Sequence, residues 1–210
     1  MSGRLAFSSA LMLLVLLGAS LPGCMGSLKQ PDPAKRYYAL TVDRAPAPAS
    51  PGKPKLKVRR LNVSTAYATR EFVYRLGENE FTTDYYNLFL VSPKDMLAET
   101  LRTWFERSPQ FGAALAPESG VRPDYVLESS VLDLYGDFRD QAAPKAVVAI
   151  QCFLLHSALS EYTIALSKTY RVEVPLANRS PEALAGAYSM AVQELLTRLE
   201  TDIAAVLTKQ

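Results

Sequence analysis

Histidine occurs once in this 210-residue chain, at His156, tryptophan once, at Trp104, and cysteine twice, at Cys24 and Cys152. A structural zinc site takes about four His or Cys ligands, so these few residues cannot build one. A disulfide framework needs several cysteine pairs, so stability must come from packing. Excess charge is scarce as well: 23 Lys and Arg face 21 Asp and Glu, a formal net charge of +2. That balance argues against a nucleic-acid partner. No phosphate-binding glycine loop, nucleophile elbow or metal set can be assembled, and no cofactor is expected. No apolar run reaches the roughly 20 residues that span a bilayer.

What is present starts at the N-terminus. Arg4 and the free amine give a positive start, Leu5 to Leu17 are apolar, and Gly18, Ala19 and Ser20 are small. Leu21-Pro22-Gly23-Cys24 then closes the segment as a lipobox, despite Pro22 where Ala, Ser or Thr is usual. Residues 1–23 are read as a lipoprotein signal peptide, with cleavage between Gly23 and Cys24 and lipidation of the Cys24 thiol. An ordinary signal peptide with a chance cysteine fits less well, because charge, apolar length and Gly-Cys agree. Each buried methylene contributes about 0.8 kcal/mol, so several acyl chains on one residue make a lasting anchor. Removing 23 residues from 210 leaves 187, enough for one domain, and Cys152 without a pairing partner.

Residues 24–36, with Pro31 and Pro33, are read as lipidated cysteine and tether, and 37–210 as one α+β domain. Tyr37 to Val42 has strand composition, and the Pro/Ala-rich Ala45 to Pro54 is a loop. Lys55 to Val63 alternates and then slips phase at Arg59-Arg60, which predicts a bulge. Glu71 to Leu76 and Phe81 to Tyr86 flank Gly77-Glu78-Asn79-Glu80 as a hairpin. Ser92-Pro93 with Asp95 starts a helix whose apolar side holds Met96, Leu97, Leu101, Trp104 and Phe105. Asp124 to Tyr135, Ala146 to Leu155 and Tyr162 to Val174 read as strands, the middle one apolar enough to be covered on both faces. Ser180-Pro181 opens a long helix to about Leu207, with a stripe through Leu184, Tyr188, Ala191, Leu195, Leu199, Ile203 and Val206. The expected fold is a mainly antiparallel sheet of about six strands with two helices packed on it.

Candidate chemistry is thin. His156 has Ser157 and Ser160 nearby but no nucleophile-elbow context, so a loop or sheet-edge role is preferred. Cys152 and His156 are four apart, a ligand spacing only on a helix, and Cys152 is expected to be a core hydrophobe. Asp133 and Asp137 form the carboxylate pair an anchored hydrolase would need. Lys53, Lys55, Lys57, Arg59 and Arg60 suit either an acidic surface or a solvated edge strand, and the edge strand is preferred. The sequons Asn62-Val63-Ser64 and Asn178-Arg179-Ser180 carry little meaning in a bacterial lipoprotein. Most aromatics are expected in the core. Tyr85 and Tyr86 must point to opposite faces of a strand, which predicts that one is exposed.

With these elements in place, residues Tyr37 to Val206 resemble the ABC-type transport auxiliary lipoproteins that accompany MCE-type lipid transport systems. Tyr37-Tyr38-Ala39-Leu40, Phe72-Val73-Tyr74-Arg75, the Pro93-to-Phe105 helix, Asp124-Tyr125-Val126-Leu127 and the Tyr170-to-Glu182 block carry the resemblance. Asn87-Leu88-Phe89-Leu90 departs from it, because many relatives carry a Trp just before the first helix. The resemblance implies a non-enzymatic component that docks a periplasm-spanning MCE protein at the outer membrane and faces the periplasm. Met25, not Asp, follows the cysteine, which resembles outer-membrane sorting in enterobacteria. Partners would be the MCE protein and membrane lipid through Cys24; homo-oligomer formation stays open. The alternatives are a lipoprotein that scaffolds another envelope complex and an anchored hydrolase.

Overall fold

The computed structural model describes residues 34–45, 52–158 and 161–209. The signal peptide, Cys24, residues 24–33 of the tether, residues 46–51 of the Pro/Ala-rich loop and Ser160 lie outside the described residues. Nine strands form one sheet there: β1 (Arg36–Tyr38), β2 (Lys55–Val58), β3 (Asn62–Val63), β4 (Glu71–Arg75), β5 (Phe81–Phe89), β6 (Ala113–Leu115), β7 (Tyr125–Asp137), β8 (Lys145–Ser157) and β9 (Tyr162–Pro175). The helices are α1 (Pro93–Glu106) and α2 (Pro181–Leu207). The α+β expectation holds.

The expected six-stranded, mainly antiparallel sheet does not. The sheet is mixed: β1 runs parallel to β5, and β2, β3 and β4 each run parallel to β7. β7 is long enough to pair with all three in turn along one edge, while its other edge pairs antiparallel with β8. β1, β3 and β6 have only two or three residues each, too few for a period of two to register. The predicted strand from Tyr37 accordingly shrinks to Arg36–Tyr38. The phase slip at Arg59-Arg60 is real. From Val58 to Asn62 the chain advances four residues while β7 advances three, from Leu127 to Ser130. Nor is β2 an edge strand, since it lies between β6 and β7.

Both helices start on a capping serine followed by proline. Ser92 Oγ accepts the Asp95 amide at 3.2 Å, and Ser180 Oγ accepts the Ala183 amide at 3.1 Å. Each such cap contributes about 1 kcal/mol. The α2 stripe is buried from Leu184 to Ile203, and Val206 is half-buried at its end. Leu97, Leu101 and Phe105 of α1 and Leu184, Tyr188 and Leu195 of α2 join one apolar cluster with Leu127, Leu134, Val148 and Leu154 of the sheet. Phe72 anchors it, with ring centroids 4.7 Å from Phe89, 5.2 Å from Tyr38 and 5.9 Å from Tyr188. β8 is buried on both faces from Ala146 to Ile150, as its composition predicts, but Gln151, Phe153 and Leu155 are only half-buried. No helix of the described residues is long and apolar enough to cross a membrane.

Candidate functional site

The residues that suggested catalysis are all tied to structural partners or set apart from one another. His156 is the last residue but one of β8, where its register neighbours are Tyr125 and Thr163 rather than a carboxylate or a serine. Four residues of extended strand separate it from Cys152, about 13 Å. Cys152 is fully buried with its Sγ 3.7 Å from Ser129 Oγ, and burial pushes its thiol up to about 11. It packs as a core hydrophobe. Asp133 accepts from Arg171, while Asp137 is forked by Arg139 at 2.9 and 2.6 Å. Arg139 holds the Asp137 carboxyl below its ordinary range. Among the described residues no group of three His, Cys, Asp or Glu could hold a metal.

The basic run is spent in the same way. Lys57 Nζ donates to Ser119 O at 2.8 Å, Arg59 pairs with Glu128, and Arg60 pairs with Glu118 at 3.0 Å. Lys53, Lys55 and Lys57 of the run show no side-chain ion pair among the described residues. These bonds stitch the parallel β2–β7 pair to the loop after β6.

Two features went unseen in the sequence. One is a half-open cavity of about 320 Å³ between α1 and the segment after β1, walled by Leu40, Val42, Leu90, Val91, Met96 and Trp104. Arg44 lies 4.8 Å over the Trp104 ring and also pairs with Glu200 of α2, which in turn accepts from Ser108. Arg107 donates to Arg44 O at 2.9 Å. With both arginines engaged, the cavity offers a mixed wall, apolar side chains beside Glu99, Thr100 and Thr103, rather than an anion seat, and its volume is at the small end for a ligand site. Its residues are scattered over three segments, so no local pattern announces it.

The other is an interruption of β5. Its pairing with β4 slips between Glu71, opposite Leu88, and Val73, opposite Thr83. Asp84 holds the slack: Oδ1 accepts the amides of Tyr86 and Asn87 at 2.9 and 3.0 Å, and Oδ2 accepts Tyr74 Oη at 2.7 Å. Partial burial raises the Asp84 carboxyl, but hydrogen bonds from Tyr74 and Asn87 outweigh it and keep the group below its ordinary value. The bulge overturns the expectation for the tyrosine pair. Tyr85 is 64% and Tyr86 39% exposed, because a bulged strand no longer alternates faces. Asp and Asn on either side of the pair, both turn formers inside a strand, were the available signal.

The family model for ABC-type transport auxiliary lipoprotein components matches residues 38–200. The chain belongs to that family. No curated protein matches the sequence of this auxiliary lipoprotein. Among solved structures it is similar to a DUF330 protein from Xanthomonas campestris, 24% identical, with a TM-score of 0.73 over 83% of this chain and 97% of that one. It is also similar to a hypothetical protein from Chlamydia trachomatis, 9% identical, with a TM-score of 0.51 over 76% of this chain and 100% of that one. These likenesses show that the fold of the auxiliary lipoprotein is shared.

Proposed function

We propose that this chain is a lipid-anchored, non-enzymatic component of an MCE-type ABC lipid transport system. Cys24 would hold it in the outer membrane, facing the periplasm, where it docks the periplasm-spanning MCE protein. The observation that carries this is the family match over residues 38–200. The lipobox supports the rest: residues 1–23 as signal peptide, Cys24 as the acylated first residue, a tether to residue 36 and a binding domain from 37 onward. Met25 supports outer-membrane sorting. Structural engagement of Asp133, Asp137 and Cys152 supports binding over catalysis. A tether confines the domain near the membrane, and a weak interface is then occupied through high local concentration.

The test is a mild crosslink of the native lipidated protein in its own envelope, followed by detergent extraction, mass spectrometry and density separation of the membranes. An MCE-domain protein in the outer-membrane fraction is the expected partner. Recovery of other envelope assembly factors without an MCE protein would transfer the chain to the scaffold reading. A Cys24→Ser chain that stayed in the membrane would remove the anchor.

A further inference from the structure

The bulge in β5 lies beside the strand at which the described chain begins. Lys35, just before β1, sets its ammonium 4.0 Å from the centroid of the Tyr85 ring, and Tyr85 and Tyr86 meet edge to face at 5.1 Å. Tyr37 on β1 is 51% exposed, with the Arg70 guanidinium 5.1 Å over its ring. Three tyrosines with polar tips and solvated rings thus gather where the chain arrives from its N-terminal side. The charge around them is balanced. Lys35, Arg36 and Arg70 stand against Glu71, Asp84 and Glu182, with Arg36 paired to Glu182.

We propose that Tyr37, Tyr85 and Tyr86 form the face on which the domain rests against the phospholipid bilayer, their rings entering the headgroup layer. This rests on the reading of Cys24 as the lipid anchor. From Cys24 to Lys35 is 11 residues, which span at most about 40 Å at full extension. The β1 edge is therefore the part of the domain held nearest the membrane. Tyrosine suits that layer, since its ring favours the acyl boundary while its hydroxyl stays among the polar headgroups. Lipid anchors hold best with a second contact, and an aromatic patch at the tether's end supplies one. Because the charges balance, recognition comes through the rings rather than through attraction to anionic lipid.

The test uses the full lipidated protein carrying Tyr85→Cys and a bimane label. Cys152 is buried and Cys24 is acylated, so the introduced thiol alone reacts. The reference is Ile164→Cys on β9, an edge strand four strand spacings from β5, about 19 Å away. Both are placed in phosphatidylcholine vesicles with and without a doxyl lipid labelled near the headgroup. The label at 85 should lose most of its emission and the one at 164 little, with the same ratio when phosphatidylglycerol replaces part of the phosphatidylcholine. Equal quenching at the two sites, or none at 85 in protein that floats with the vesicles, would overturn the proposal. So would shielding of position 85 by an added MCE-domain protein without lipid quenching. Protein that does not float with the vesicles overturns the anchor itself, which separates that failure from failure of the tyrosine face.

Discussion

Gly136 in β7 and Leu184 in the first turn of α2 touch so closely that no side chain fits between them. A Cβ on Gly136 would stand 3.0 Å from Leu184 Cδ2 and 2.6 Å from Phe138 Cε2. Leu184 is fully buried and Phe138 nearly so. This glycine sets how near the last helix can approach the central strand. Gly136→Ala should destabilise the domain by about 1–3 kcal/mol through overpacking, a loss read as a lower midpoint in urea. An unchanged midpoint would mean that the helix is free to lift off the sheet.

Tyr188, one turn along the same helix, lies fully buried against Phe72 and Phe89. Its hydroxyl has no hydrogen-bond partner among the described residues. A buried hydroxyl without a partner carries its full desolvation penalty, so removing it is favourable. Tyr188→Phe is expected to raise stability by about 1 kcal/mol. A clear loss on the same denaturation curve would reveal a partner for the hydroxyl.

The difference between what the sequence shows and what it hides follows from the range of each signal. Both helices, the hairpin and the long strands were legible because caps, turn residues and apolar periods act within a few residues. Parallel pairing was not legible. Asn62 lies opposite Ser130 and Arg36 opposite Asn87 through contacts that local periodicity cannot encode. At the candidate site, the engagement of Asp137 by Arg139 spans two residues, whereas Asp133 meets Arg171 only through two strand pairings. The exposure of both Tyr85 and Tyr86 depends on a bulge whose flanking Asp84 and Asn87 are local, but whose register is set by β4.

Cys152 gives a direct test of core integrity. Burial pushes its thiol up to about 11, and no solvent reaches the sulfur in the folded chain. Thiolate is the reactive form, so a thiol reagent at pH 8 should find almost none until the domain unfolds. In the lipidated protein, one thiol should appear along the unfolding transition. Rapid labelling of the native chain would show that the sheet opens at β8.

Acid should weaken the fold through carboxylates such as Asp202 of α2. Lys168 Nζ and Tyr170 Oη of β9 both donate to Asp202 Oδ2, at 2.7 and 2.6 Å, and pin the helix to the sheet. Lys168 first, and then Tyr170, pulls the carboxyl below its ordinary 3.8. Because the folded value is depressed, the stabilisation is fully present above the unfolded value and fades as pH falls through the folded one. Asp137, held by Arg139, and Glu173, held by Lys145, act in the same direction. The urea midpoint should therefore hold near neutral pH and fall between about pH 5 and pH 2. Asp202→Asn keeps the shape but not the charge, so it should lower the midpoint at neutral pH and flatten the acid slope. If its slope matched that of the parent chain, the Lys168 and Tyr170 contacts would not be what secures the helix to β9.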